Sequence, residues 1–378
     1  MVLEETLAKF VEIQSNILDF IDNEESIENS FHDLRIFFND QKISENKYYL
    51  ELLFHLITSI SKNHHRGPLF FSKIEEILNF FKDDIKNNFS NSEIFNIFKS
   101  SKRILLSLIE ANIFTFDEYT ITKMKKYHEA KYFEYFAPEI KPFITENWFI
   151  KDQELNKLIE EINKELPSDF DELRKEGENE SLICQFIRKD SVEEFIQYVN
   201  KTNTSLKSRI GLSTYETNSY FLKNGKNNNF LSLIEYSVFF GAIQIFQYLR
   251  LNNVHLPQSL WYCAVHGNNP ELIHLLEEDS IKPECQSFKY SLNESIKCFH
   301  SDLFDYFKNN RLLIEEEISL DIFLQSLKYY NFALIDIDSI NQYNFDFLCK
   351  YDYTSFVDIL IKTKNVDVDY KIIFKLFF

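Results

Sequence analysis

The chain has 378 residues, enough for two or three globular domains or one long solenoid, so burying a sizeable apolar core is not limiting. Its 59 acidic against 41 basic residues leave a net charge of −18, a field that opposes nucleic acid and anionic membrane surfaces and leaves proteins as the expected partners. With 39 Phe and 20 Tyr against 6 Gly and 7 Pro, large core fillers abound and turn breakers are few, which predicts an all-α chain of short helices joined by tight polar turns.

The opening stretch "MVLEETLAKF" carries glutamates where a signal peptide needs positive charge, and no apolar run approaches the ~18 residues of a membrane span, so a cytoplasmic location is expected. From Leu3 to about Lys164 the segments "LAKFVEIQSNILDFI", "YYLELLFHLITSI", "FFSKIEEILNFFKDDI" and "SKRILLSLIEANI" repeat apolar residues at three- and four-residue steps, the pattern of amphipathic helices. Polar breaks such as "SKNHHRGP" and "KNNFSNSE" end or cap them. The texture changes at "KELPSDFDELRKEGENES", which predicts a helical N-terminal region over 1–175 and a second region over 176–378. Within the latter, residues 200–230 are polar and aperiodic, read as an ordered hairpin-like insertion or a mobile flap.

Beyond residue 230 one spacing recurs. In "SLIEYSVFFGAIQIFQYL" and "QSLWYCAVHGNNPELIHLL" an apolar residue stands seven before the glycine, Ile234 and Leu260, and compact residues follow at Ser237–Val238 and Cys263–Ala264. A second apolar stripe then begins at Ile245 and Leu272. A third copy keeps Leu292, Ser295 and Phe304 but has Phe299 at the glycine position; a fourth keeps Phe345, Cys349 and Phe356, and "SLICQFIRKDSVEEFIQYV" fits less closely upstream. Such a repeat predicts helix pairs whose stacking creates one core, with Gly241 and Gly267 permitting a left-handed turn at the end of each first helix. Gly267→Val is expected to cost roughly 1 kcal/mol or more on that basis.

The pattern is similar to the ankyrin repeat T-P-L-H-x-A-A-x-x-G-x-x-E-I-V-x-L-L in its apolar and glycine positions, with Ser232, Leu233 and Glu235 in place of Thr, Pro and His. The block Ser259 to Glu278, "SLWYCAVHGNNPELIHLLEE", resembles a large protist family, expanded in trichomonads, whose members carry it ahead of ordinary ankyrin repeats. The resemblance implies an ankyrin-like α-solenoid with protein-interaction roles and no assigned activity. Asp367 and Asp369 match the acidic turn after an ankyrin second helix, and the chain stops at "DVDYKIIFKLFF", about where the ordinary repeats of longer members begin.

In an ankyrin-like pair the two positions before the glycine face the concave surface, which makes Phe239, Phe240, Val265 and His266 the candidate partner-binding residues. The alternative is that the 200–230 insertion or the next repeat covers them. Cys263, His266, Glu271 and His274 include metal-ligating types, but Cys263 falls on a core position and His274 on an outward one; His64 and His65 read as loop residues. The scattered cysteines, Cys184, Cys263, Cys285, Cys298 and Cys349, read as reduced core thiols. No GxSxG, phosphate loop or HExxH occurs, so no catalytic, cofactor or metal residues are predicted and no enzyme is expected. Two roles follow: a protein-binding scaffold, or a structural segment that stacks on further ankyrin repeats or on another copy through its apolar C-terminal end, Ile372, Ile373, Phe374, Leu376, Phe377 and Phe378.

Overall fold

The three- and four-residue periodicities become helices throughout the computed structural model, which describes residues 2–127, 130–143, 165–224, 230–283, 288–310, 316–340 and 345–364. The first run comprises α1 (Val2–Asp22), α2 (Ile27–Asp40), α3 (Lys47–Asn63), α4 (Phe70–Phe80), α5 (Lys82–Asn88), α6 (Asn91–Phe98), α7 (Lys102–Glu110), α8 (Glu118–Tyr127), α9 (Ala130–Tyr135) and α10 (Ala137–Ile140). Next come α11 (Phe170–Glu176), α12 (Leu182–Arg188), α13 (Val192–Thr202), α14 (Ser219–Asn224), α15 (Leu233–Phe239), α16 (Ile243–Leu251), α17 (Leu260–Gly267) and α18 (Pro270–Glu278). The last are α19 (Lys289–Cys298), α20 (Ser301–Asn310), α21 (Glu316–Tyr329), α22 (Phe345–Lys350) and α23 (Thr354–Lys364). Among the described residues there is no strand, and Arg209 and Ser232 form an isolated bridge. The chain is all-α.

Short polar side chains start several of these helices by accepting from otherwise orphaned first-turn amides. Ser90 and Glu93 close a capping box on α6, and Ser232 and Glu235 close another on α15. Asn269 caps α18 from outside, with Pro270 at the first helical position, where its missing N–H is not needed.

The helix ends repeat more regularly than the sequence does. Asp190, Gly241, Phe299, Tyr330 and Asp352 all have a left-handed backbone, with φ between 48° and 70°. In each case the following amide donates to a carbonyl five residues back: Ser191 to Phe186, Ala242 to Ser237, His300 to Ser295, Asn331 to Ser326 and Tyr353 to Leu348, all at 2.8–3.0 Å. This closure satisfies carbonyls left free in the last helical turn. Phe and Tyr adopt it at a cost of about 1–2 kcal/mol, and the buried rings of Phe299 and Tyr330 offset that strain.

Gly267 departs from expectation. Its φ is not left-handed; the left-handed residue of that turn is Asn268, at φ 47°. A Cβ on Gly267 would lie 2.6 Å from the Val238 carbonyl oxygen and 3.1 Å from that of Phe239, so glycine is required there by the close approach of α17 to α15. Gly241 has the expected left-handed φ of +70°.

Two compact units divide the chain, and neither follows the predicted boundary at 175/176. Unit 1 joins residues 1–60 and 64–81 to 282–378, because α1 finds its apolar partners near the other end of the sequence. It contacts α2, α4, the 3-10 turn Phe332–Leu334 and α23. Phe10 meets Phe332 with ring centroids 4.9 Å apart, and the buried Gln14 amide donates to Asn331 Oδ1 at 2.9 Å and accepts from the Phe332 amide at 2.6 Å.

Unit 2 holds residues 61–63 and 82–281. Here α12 contacts α13 and α15, α15 contacts α16 and α17, α13 contacts α16, and α17 contacts α18. The compact side chains of Ser237, Cys263 and Ala264 are fully buried where these helices approach. Glu235, standing where the similar repeat has His, caps its own helix and accepts from Ser259 Oγ at 2.5 Å. Asp190 accepts from the Gln244 and Ile245 amides at 3.0 Å, capping α16.

The described part of the 200–230 insertion is ordered. The Ile210 amide donates to the Leu231 carbonyl at 2.7 Å, Thr217 Oγ1 donates to the Gly177 carbonyl at 2.8 Å, and α14 follows. Cys184, Cys263 and Cys298 are buried, and Cys349 is half-buried. Cys285, Asp367, Asp369 and the apolar positions Ile372 to Phe378 lie outside the described residues.

Candidate functional site

The four residues expected on a recognition face lie mostly inside unit 2. Phe239, Val265 and His266 are each at most 3% exposed, and Phe240 is half-buried. His266 stacks on Phe239 with ring centroids 3.8 Å apart and has Asn218 Nδ2 within 3.2 Å of its Nε2. The insertion supplies the cover: Tyr220 and Phe221 sit 5.3 and 4.9 Å from the Phe239 ring, and Phe221 stacks on Phe240. The aromatic pair at the end of α15, Phe239 and Phe240, thus recruits an aromatic pair from its own chain, the alternative that the sequence left open. Phe240 alone of the four keeps partial access, beside the Arg188 guanidinium at 6.0 Å.

Cys263, His266, Glu271 and His274 do not gather. Cys263 is in the core, whereas Glu271 and His274 stand exposed on α18, His274 lying 3.5 Å from Glu277. Burial raises the Cys184 thiol to about 11 despite hydrogen bonds with Ser181 and Tyr236, which keeps it a poor nucleophile.

A different concavity is open in unit 2. Glu134, Glu165, Leu166, Pro167, Phe170, Glu180, Thr214 and Tyr215 line a cleft of about 340 Å³. Its floor is aromatic, Phe170 and Tyr215 meeting edge to face at 5.8 Å. Its walls are acidic, with three carboxylates and no Lys, Arg or His among the lining residues. The parts are rigidly held. Thr214 donates to Glu134 Oε2 at 2.5 Å, and the buried Lys102 donates to the Thr214 carbonyl at 2.6 Å. Arg174, whose guanidinium lies 4.8 Å from the Phe170 ring, is committed to Glu139 at 2.9 Å and Asp171 at 2.6 Å.

Glu180 Oε2 is buried and accepts no hydrogen bond. Burial pushes the Tyr215 phenol above its ordinary value, and the negative field of Glu180, Asp169 and Glu134 adds to the shift. An acid-lined, aromatic-floored cleft of this kind suits a cation on an apolar stem, the chemistry of an arginine or lysine side chain.

Sequence reasoning did not find this cleft, because it assembles Glu134, the 165–180 segment and Thr214–Tyr215 from three separate stretches. The available signal was the change of texture at Pro167 and Gly177, read only as a boundary. No protein-family model matches this chain, and no curated protein and no solved structure matches it.

Proposed function

We propose that this chain is a non-enzymatic protein-binding scaffold, an α-solenoid of stacked antiparallel helix pairs of ankyrin-like type, whose unit 2 cleft receives a basic side chain of its partner. The repeated left-handed closures at Asp190 and Gly241, and the succession of contacts from α12 to α15 to α17, support the stacked-pair reading. The observation that carries the binding reading is a cleft lined by Glu134, Glu165 and Glu180 with Phe170 and Tyr215, whose lining supplies carboxylates and no cation. A partner guanidinium or ammonium would supply the missing positive charge.

The test is fluorescence anisotropy with a short labelled arginine-rich peptide. Wild type should bind, and Glu165→Gln/Glu180→Gln should weaken binding by about tenfold or more, the scale of one charge-assisted hydrogen bond. The control Glu24→Gln/Glu25→Gln removes the same charge from exposed positions outside the cleft and should leave affinity unchanged. Equal losses in both variants would mean that the peptide follows net charge, and the cleft reading would fail.

A further inference from the structure

Unit 1 brings together three histidines that the sequence keeps far apart. His64 is the residue that ends α3, its amide donating to the Ile60 carbonyl at 2.9 Å, and His65 follows it. His300 follows the left-handed Phe299, whose turn, closed by the His300 amide on the Ser295 carbonyl, aims it at them. His65 Nδ1 and His300 Nε2 are 3.0 Å apart, and one ligating nitrogen from each of the three rings lies within 4.8 Å of the others. The Asp22 carboxylate at the end of α1 joins them, with Oδ1 at 2.9 Å from His64 Nε2 and 3.6 Å from His65 Nε2.

We propose that His64, His65 and His300, with Asp22, form a binding site for a divalent transition-metal ion of the zinc type. Imidazole and carboxylate ligands suit Zn²⁺, whose Zn–N distance of about 2.0–2.1 Å sets ligand atoms about 3.3 Å apart around a tetrahedron. The pairs His64 Nε2–Asp22 Oδ1 at 2.9 Å and His65 Nδ1–His300 Nε2 at 3.0 Å lie near that value, with His65 contributing its Nδ1. The orientation of His64 is a second, independent observation. Its Nδ1 lies 2.6 Å from the Cys298 carbonyl oxygen, to which it donates; this fixes the tautomer and turns Nε2 towards the cluster, the outer-shell arrangement of metal-binding histidines. Both nitrogens of this buried ring therefore face oxygens, an arrangement that a cation between Nε2 and the Asp22 carboxylate would satisfy.

Lys73, whose ammonium acts on Asp22, is committed to the carbonyls of Phe20 at 2.8 Å, Ile21 at 3.3 Å and Asn23. His65 is partly exposed, and His300 also lines a cavity of about 170 Å³ with Val11, Leu18, Ser295 and Asn331, which gives an ion an approach.

The test is calorimetric titration of Zn²⁺ into the untagged, chelator-stripped full chain. One equivalent should bind, Mg²⁺ and Ca²⁺ should not, and His65→Ala and His300→Ala should each weaken binding by about 100-fold or more. His274→Ala, on an exposed histidine outside the cluster, should leave it unchanged. Circular dichroism checks that the variants fold. Should they not, Co²⁺ added to wild type decides: intense visible bands of a tetrahedral nitrogen site uphold the proposal, and a weak octahedral spectrum overturns it. Wild type that takes up no Zn²⁺, or variants that take it up undiminished, would show the histidines to be a hydrogen-bonded structural cluster only.

Discussion

Gly241 and Gly267 occupy matching places in two successive helix pairs and are required for different physical reasons, which substitution can separate. At Gly241 the backbone is left-handed, and an added Cβ meets nothing closer than the Gly267 carbonyl oxygen at 3.6 Å. Gly241→Ala should therefore cost the conformational penalty alone, about 1–2 kcal/mol, and Gly241→Asn about half that, since Asn visits this region readily. At Gly267 the conformation is ordinary, but the Cβ would meet three backbone atoms of the preceding pair at 2.6, 3.1 and 3.2 Å. Backbone cannot rotate away as a side chain can, so α15 and α17 must separate. Gly267→Ala should cost about 3 kcal/mol, the upper range of overpacking, and Gly267→Asn at least as much. Urea unfolding followed by far-ultraviolet circular dichroism gives the four midpoints at unchanged slope. If Gly267→Asn proves milder than Gly267→Ala, the position behaves as a left-handed site and the close-approach argument is wrong.

Two further outcomes are expected. Gln14→Leu should destabilise unit 1 by about 1–3 kcal/mol, because it strands the buried Asn331 Oδ1, while the Phe332 amide keeps the Tyr330 carbonyl at 3.1 Å; a loss below about 1 kcal/mol in the same urea assay would show that Asn331 finds another partner. Burial raises the Asp117 carboxyl, but hydrogen bonds from the Thr120 amide, Asn91 and the Thr120 hydroxyl outweigh it and hold the group below its ordinary value. A depressed acid contributes stability above its unfolded pKa, about 3.9, and loses it as pH falls through the folded value. The stability difference between wild type and Asp117→Asn should thus be constant from neutral pH to about 4 and shrink below it; a difference that grows on acidification would reverse the assignment.

Periodicity made the helices legible, and the spacing around Gly241 made the turn legible, since both are written in neighbouring residues. The same turn at Asp190, Tyr330 and Asp352 was hidden because no glycine marks it: aspartate tolerates the conformation, and a buried Tyr330 ring offsets its strain. Phe239 and Phe240 looked like recognition residues from their place in the repeat, and only the fold of the insertion reveals that Tyr220 and Phe221 meet them first. His64 and His65 are loop residues, as their sequence suggests, but their clustering was hidden because their partners, Asp22 and His300, stand far off in sequence in either direction. Partnerships of that range leave no local pattern.

The joining of α1 to the 3-10 turn at Phe332 also sets an order of events during synthesis. Gln14 and Asn331 are separated by 317 residues, so at about 5–20 residues per second the first helix waits roughly 15–60 s for its partner to leave the ribosome. Throughout that interval Phe10, Ile13 and Ile17, which end with no exposure to solvent, have only the neighbouring early helices to shelter them. Almost all of unit 2 is translated within the wait, between the two halves of unit 1. The nascent chain thus carries an apolar surface for many seconds, and a chaperone engaging α1 would find its target long before the native partner exists.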